Sequence, residues 1–76
     1  MGENLTTDQP AVGQTVVDRA FVDLYGLQPA TLMKVTGIAC VYADGVAELV
    51  VTFHDDGEEV TDRAWSDEVY VVASGC

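Results

Sequence analysis

Positive charge is what this chain has least of. Three Lys and Arg residues stand against thirteen Asp and Glu, a formal net charge of −10 and a pI near 4.1. A surface so poor in cations repels phosphate backbones and anionic lipid, so direct nucleic-acid binding and membrane-surface attachment are not expected. Nitrogen and sulfur ligands are nearly as scarce: one histidine, His54, and two cysteines, Cys40 and Cys76. Zinc takes about four such ligands at defined spacing, so no metal site is expected. Two cysteines are also too few for a secreted disulfide scaffold. Cys40 lies in an apolar run and reads as a small buried hydrophobe, Cys76 as an exposed thiol, and whether the two pair is left open. Long hydrophobic runs are missing as well, and nothing approaches a membrane span. Met1 to Pro10 lack the basic start and apolar stretch of a signal peptide. Without one, the sequon Asn4-Leu5-Thr6 reads as an accident of composition, and a reduced cytoplasm is the expected compartment.

What is present suits one folded domain. Of 76 residues, 49% are hydrophobic, too many for a disordered chain. A chain this short buries only about 60% of its unfolded surface, which predicts a thin core that a dimer or partner interface would complete. Residues 1–13 are polar, broken by Pro10 and Gly13, and read as a flexible lead-in to a single α+β domain over 14–76. There is no internal repeat.

Thr15-Val16-Val17-Asp18 fits a capping box, and Val17, Ala20, Phe21 and Leu24 follow at helical spacing. The pattern predicts a helix from Thr15, with Arg19 paired to Asp23 and Gly26 as the left-handed residue past its end. From Leu32 the period changes to that of strands. Asp44-Gly45 predicts a two-residue hairpin pairing Ala43 with Val46, Cys40 with Leu49 and Ile38 with Val51, which leaves Val35, Val41 and Val50 on the other face. Asp56-Gly57 predicts a second hairpin pairing Asp55 with Glu58 and Phe53 with Val60. Continued further, that register sets Asp62 opposite Val51, so a short or bulged return strand is expected. Thr61 to Glu68 reads as a turn or a single helical turn, and Val69 to Ser74 as the last strand. The predicted architecture is α+β: one N-terminal helix packed on a three- to four-stranded antiparallel meander.

Chemistry-bearing patterns are weak. His54 beside Asp55 lacks the nucleophile and oxyanion pocket of a hydrolytic site, because Ser66, Ser74 and Cys76 sit in no nucleophile motif. An EF-hand frame with Gly57 in sixth place would put Thr52 first, His54 third and Arg63 twelfth, and only Asp56 fits. An enzyme is not expected, nor a cofactor. Surface recognition remains. Between Asp44 and Glu68 lie nine acids and one base, Arg63. Alternate residues on a strand are about 6.6–6.8 Å apart, close to the spacing of phosphates along a nucleic-acid strand. A carboxylate row can therefore imitate a backbone for a basic cleft, although acids at hairpin tips also protect edges and confer solubility. Trp65 stands amid charge. It reads first as core filling and second as an interface anchor, and Tyr25 and Tyr70 likewise read as core.

With its one helix, hairpins and cadences Val35-Thr36-Gly37-Ile38-Ala39-Cys40-Val41-Tyr42-Ala43-Asp44-Gly45 and Val50-Val51-Thr52-Phe53-His54-Asp55-Asp56-Gly57-Glu58, this short acidic chain resembles the small phage-encoded inhibitors of the anti-CRISPR type. That group shares no diagnostic motif, so no functional residue carries over. The resemblance implies binding to a host nuclease or surveillance complex at its nucleic-acid-binding surface, in the host cytoplasm. The expected function is a non-enzymatic acidic inhibitor, a nucleic-acid mimic docking on the basic surface of a nucleic-acid-binding protein. Asp55, Asp56, Glu58, Glu59, Asp62, Trp65, Asp67 and Glu68 are the expected contact residues. The alternative is a structural or assembly module, a homodimer through an edge such as Val69 to Ala73, whose acids only solubilise.

Overall fold

A computed structural model describes residues 4–73, and Cys76 and Ser74 lie outside them. Among the described residues six strands carry the fold: β1 (Asn4–Thr6), β2 (Thr15–Asp18), β3 (Met33–Val41), β4 (Ala47–Asp55), β5 (Glu58–Trp65) and β6 (Val69–Ala73). One helix, α1 (Arg19–Tyr25), and two 3-10 turns, Pro29–Thr31 and Ser66–Glu68, connect them. All pairings are antiparallel, in the order β1-β6-β2-β3-β4-β5. The protein is mainly β, which corrects the expected helix on a three- to four-stranded meander. Part of the stretch read as a lead-in forms β1, paired with β6 through Asn4–Ala73, Leu5–Val72 and Thr6–Val71.

The expected helix start is where the reading fails first. Thr15 to Asp18 is a strand, bonded to β3 on one side and to β6 on the other. Val16 and Val17 are both fully buried, on opposite pleats. Two β-branched residues in succession favour a strand, and two neighbouring strands satisfy the backbone on both sides. The helix begins one turn later, with Asp18 itself as N-cap: its Oδ1 accepts from the Phe21 amide at 3.2 Å. Its end is where it was expected. Gly26 has φ 82°, and its amide donates to the Val22 carbonyl at 2.8 Å. The helix contributes no buried residue, and Leu24 is 76% exposed. Arg19 does not pair with Asp23. Its guanidinium donates to the Val69 carbonyl at 2.8 and 3.3 Å and lies 5.1 Å from the Tyr70 ring centroid, while the Tyr70 hydroxyl donates to Asp23 at 2.9 Å.

The first hairpin is wider than its dipeptide suggested. Tyr42 donates to the Val46 carbonyl at 2.8 Å, and Gly45 donates to the Tyr42 carbonyl at 3.0 Å. Gly45 has φ 91° whereas Asp44 is not in the left-handed region, so this is a three-residue loop rather than a type I′ turn. Val41 therefore pairs with Ala47 and Cys40 with Glu48, and two irregularities shift the register further, the one between Ile38 and Cys40 setting Ile38 opposite Leu49 and the one between Val35 and Gly37 setting Val35 opposite Val51. Val35 enters the core opposite Val51, while Cys40 is exposed, the reverse of the expected faces. The second hairpin matches expectation at its tip: Asp56 and Gly57 both have positive φ, 57° and 83°, and Asp55 pairs with Glu58. Beyond the tip the return strand is neither short nor bulged. It runs through Trp65 and does set Asp62 opposite Val51.

The core is Val16, Val35, Ala47, Leu49, Val51, Val69 and Val71, with Met33 and Ala64 packed against it. β6 and β4 are not neighbours in the sheet, yet their residues share this cluster, so the sheet curls and closes its inner face on itself. The Ala47 amide, donating to Ser66 Oγ at 2.8 Å, ties the start of β4 to the Ser66–Glu68 turn. Trp65, 40% exposed, and Tyr25, 65% exposed, lie outside the core, which corrects their core reading. Tyr70 is half-buried. β6 lies between β1 and β2, so Val69 to Ala73 offers no free edge.

Candidate functional site

Strand β5 ends the sheet order, and the sequence-predicted residues lie along it and in its flanking turns. Asp55, Asp56, Glu58 and Glu59 form the tip of the β4–β5 hairpin, and all four are exposed. Asp67 and Glu68 are exposed in the turn at the other end of β5, about 27 Å away at the rise of an extended strand. Asp62 lies between them. The structure thus distributes the acids along one edge rather than in one cluster. Among the described residues no group of three or more His, Cys, Asp or Glu is gathered tightly enough to hold a metal ion.

The two faces of β5 differ. On the outer face Arg63 donates to Glu48 Oε2 at 2.9 Å, which turns the strand's one base onto β4. The Tyr42 hydroxyl reaches the other oxygen of Glu48 at 3.4 Å. The Tyr42 and Trp65 rings lie 5.6 Å apart at 46°, an arrangement that suits aromatic contact while leaving each ring partly open to water. The Tyr42 hydroxyl is pushed above its ordinary pKa, first by charge repulsion from the neighbouring Cys40 sulfur as thiolate, then by desolvation and by Glu48. His54 is exposed opposite Glu59, and with Asp55 it borders a hollow of about 320 Å³.

On the inner face Asp62 stands over the open end of the curled sheet, and its Oδ1 accepts from the Arg63 amide at 2.8 Å. Asp18 faces the same opening, because it pairs with the core residue Val69. A hollow of about 250 Å³ lies between them, bordered by Met33, Val51, Phe53, Val69 and Glu68. A second, of about 320 Å³, is lined by Phe21 and reaches His54 and Asp55. Asp18, Met33 and Phe53 border both.

Asp18, Met33 and Phe53, and the Tyr42–Glu48 pair outside, were not among the predicted site residues. Asp18 carried a signal, a capping carboxylate, but it was read one turn too early. The others depend on pairings between distant strands. Comparison with family models, curated proteins and solved structures finds no match to this chain.

Proposed function

We propose that the protein is a non-enzymatic binding protein that presents the β5 edge to the basic surface of a nucleic-acid-binding protein, and so competes with nucleic acid. One observation carries the reading: seven exposed carboxylates line β5 and its flanking turns, while the only base on that strand is engaged by Glu48. Seven charges over about 27 Å approach the one charge per about 3.4 Å of helix axis that each strand of a duplex carries. Exposed carboxylates need little desolvation until contact, so they act mainly on encounter rate and orientation. Tyr42 and Trp65, half open beside this row, supply the aromatic anchor that such interfaces favour.

The test is affinity capture from lysate of the source cell with the parent chain and with a variant carrying Asp55→Lys, Asp56→Asn, Glu58→Lys and Glu59→Lys. Asparagine is chosen at position 56 because φ is 57° there and lysine would be strained. The parent is expected to retain a basic nucleic-acid-binding protein that duplex DNA displaces, and the variant to retain none. Equal retention by the two, or retention indifferent to DNA, rejects the reading. The exposed side chains of Ile38, Val41, Tyr42 and Trp65 favour a second reading, an assembly module. Its mark is a mass that rises with concentration and is insensitive to salt.

A further inference from the structure

The inner opening differs in kind from the acidic edge, since its floor is apolar. Met33 and Phe53, both half-buried, border the two adjacent hollows with the exposed carboxylate of Asp18; half-buried Phe21 borders one of them, and the exposed carboxylates of Asp62 and Glu68 the other. Hollows of about 250 and 320 Å³ lie at or below the roughly 300–1,000 Å³ typical of ligand pockets, a size for one extended side chain rather than a large cofactor. Among the described residues the one Lys or Arg at its border, Arg63, has its guanidinium on Glu48 at the outer face. The carboxylates do not converge as metal ligands would. His54, the other basic side chain at the border, stands beside Asp55 at the far end, so carboxylates predominate on the rim, and an apolar trough so rimmed is complementary to a cation carried on an alkyl stem.

We propose that this cleft receives a lysine or arginine side chain of the protein partner. The stem lies against Met33 and Phe53, with Phe21 at its end, and the head group reaches Asp18 and Asp62. The inference rests on the proposed function for the nature of the partner, but the cleft's chemistry can be tested apart from it. A basic side chain seated here gains apolar burial that the edge acids do not offer, and its cation meets carboxylates beside low-dielectric walls. Asp62 then has two roles: an inward charge that deters edge pairing, and a receptor for the partner's cation.

The probe is N-acetyl-arginine amide, titrated into the isotope-labelled chain and followed by amide chemical shifts, with the neutral N-acetyl-citrulline amide as its isostere. Saturable shifts are expected at Met33, Phe53, Asp62 and Glu68, with the citrulline compound about tenfold or more weaker, the worth of one charge-assisted contact. The Asp18→Asn/Asp62→Asn double variant keeps the helix cap and the shape of the cleft, and should lose that discrimination. Equal binding of the two compounds, or shifts confined to Asp55 through Glu59, overturns the proposal. The variant altered at Asp55, Asp56, Glu58 and Glu59 separates the two ideas. If it still binds arginine amide while neither chain captures a basic partner, the functional reading fails and the cleft stands. If both chains leave the cleft unshifted, the cleft fails whatever is captured.

Discussion

Ser66→Ala should cost much of the fold's stability for the removal of one hydroxyl. Ser66 is buried, and its Oγ accepts from the amide of Ala47, which is fully buried. The register explains the contact. Glu48 pairs with Trp65, so the next position of β5 would face Ala47, but the strand ends there and turns. The hydroxyl replaces the backbone carbonyl that a longer strand would have supplied. Removing it leaves a buried donor without a partner, at a cost of about 1–3 kcal/mol. A chain of this length has a total stability of about 4–11 kcal/mol at the usual value per residue, so the loss is a large share. The thermal midpoint should fall by about 4–8 °C for each kcal/mol, read by circular dichroism. The Ala47 amide should lose protection against hydrogen exchange beyond the global change. A midpoint within about 2 °C of the parent, with Ala47 still protected, would refute the argument, since the amide would then have another acceptor.

Two further outcomes are expected. Asp62→Leu removes the inward charge of β5 opposite Val51. It should promote association measurable by light scattering, since the inward charge no longer deters pairing at the edge. A variant that stays monomeric at all concentrations would show that Asp62 does not guard the edge. The Tyr70 hydroxyl is held above its ordinary pKa of 10.0, first by its hydrogen bond to Asp23 and then by burial, partly opposed by Arg19. The native state therefore holds this proton more tightly than the unfolded chain, so the stabilisation is complete below the unfolded value and is lost as pH rises through the native one. Asp23→Asn should lower the Tyr70 midpoint in a phenolate absorbance titration, assigned by difference from Tyr70→Phe, and an unchanged midpoint would contradict the hydrogen bond.

Features set by two or three adjacent residues were legible in the sequence. Asp56-Gly57 needs positive φ at both positions, and that demand fixed the hairpin tip with its exposed acids whatever the rest of the chain did. Gly26 ended the helix for the same local reason. The tertiary structure decided what those signals left undetermined. Thr15 to Asp18 carried helix and strand signals together, and the strand won because β3 and β6, distant in sequence, bond it on both sides. Asp62 looked incompatible with a place opposite Val51. It is accommodated because β5 lies at an edge where the curled sheet opens to water, so the carboxylate keeps its solvation. Local backbone preference is a property of neighbouring residues, whereas the burial of a face is settled only when strands far apart in the chain meet. The acidic hairpin tip could therefore be anticipated, and the long edge strand with the cleft behind it could not.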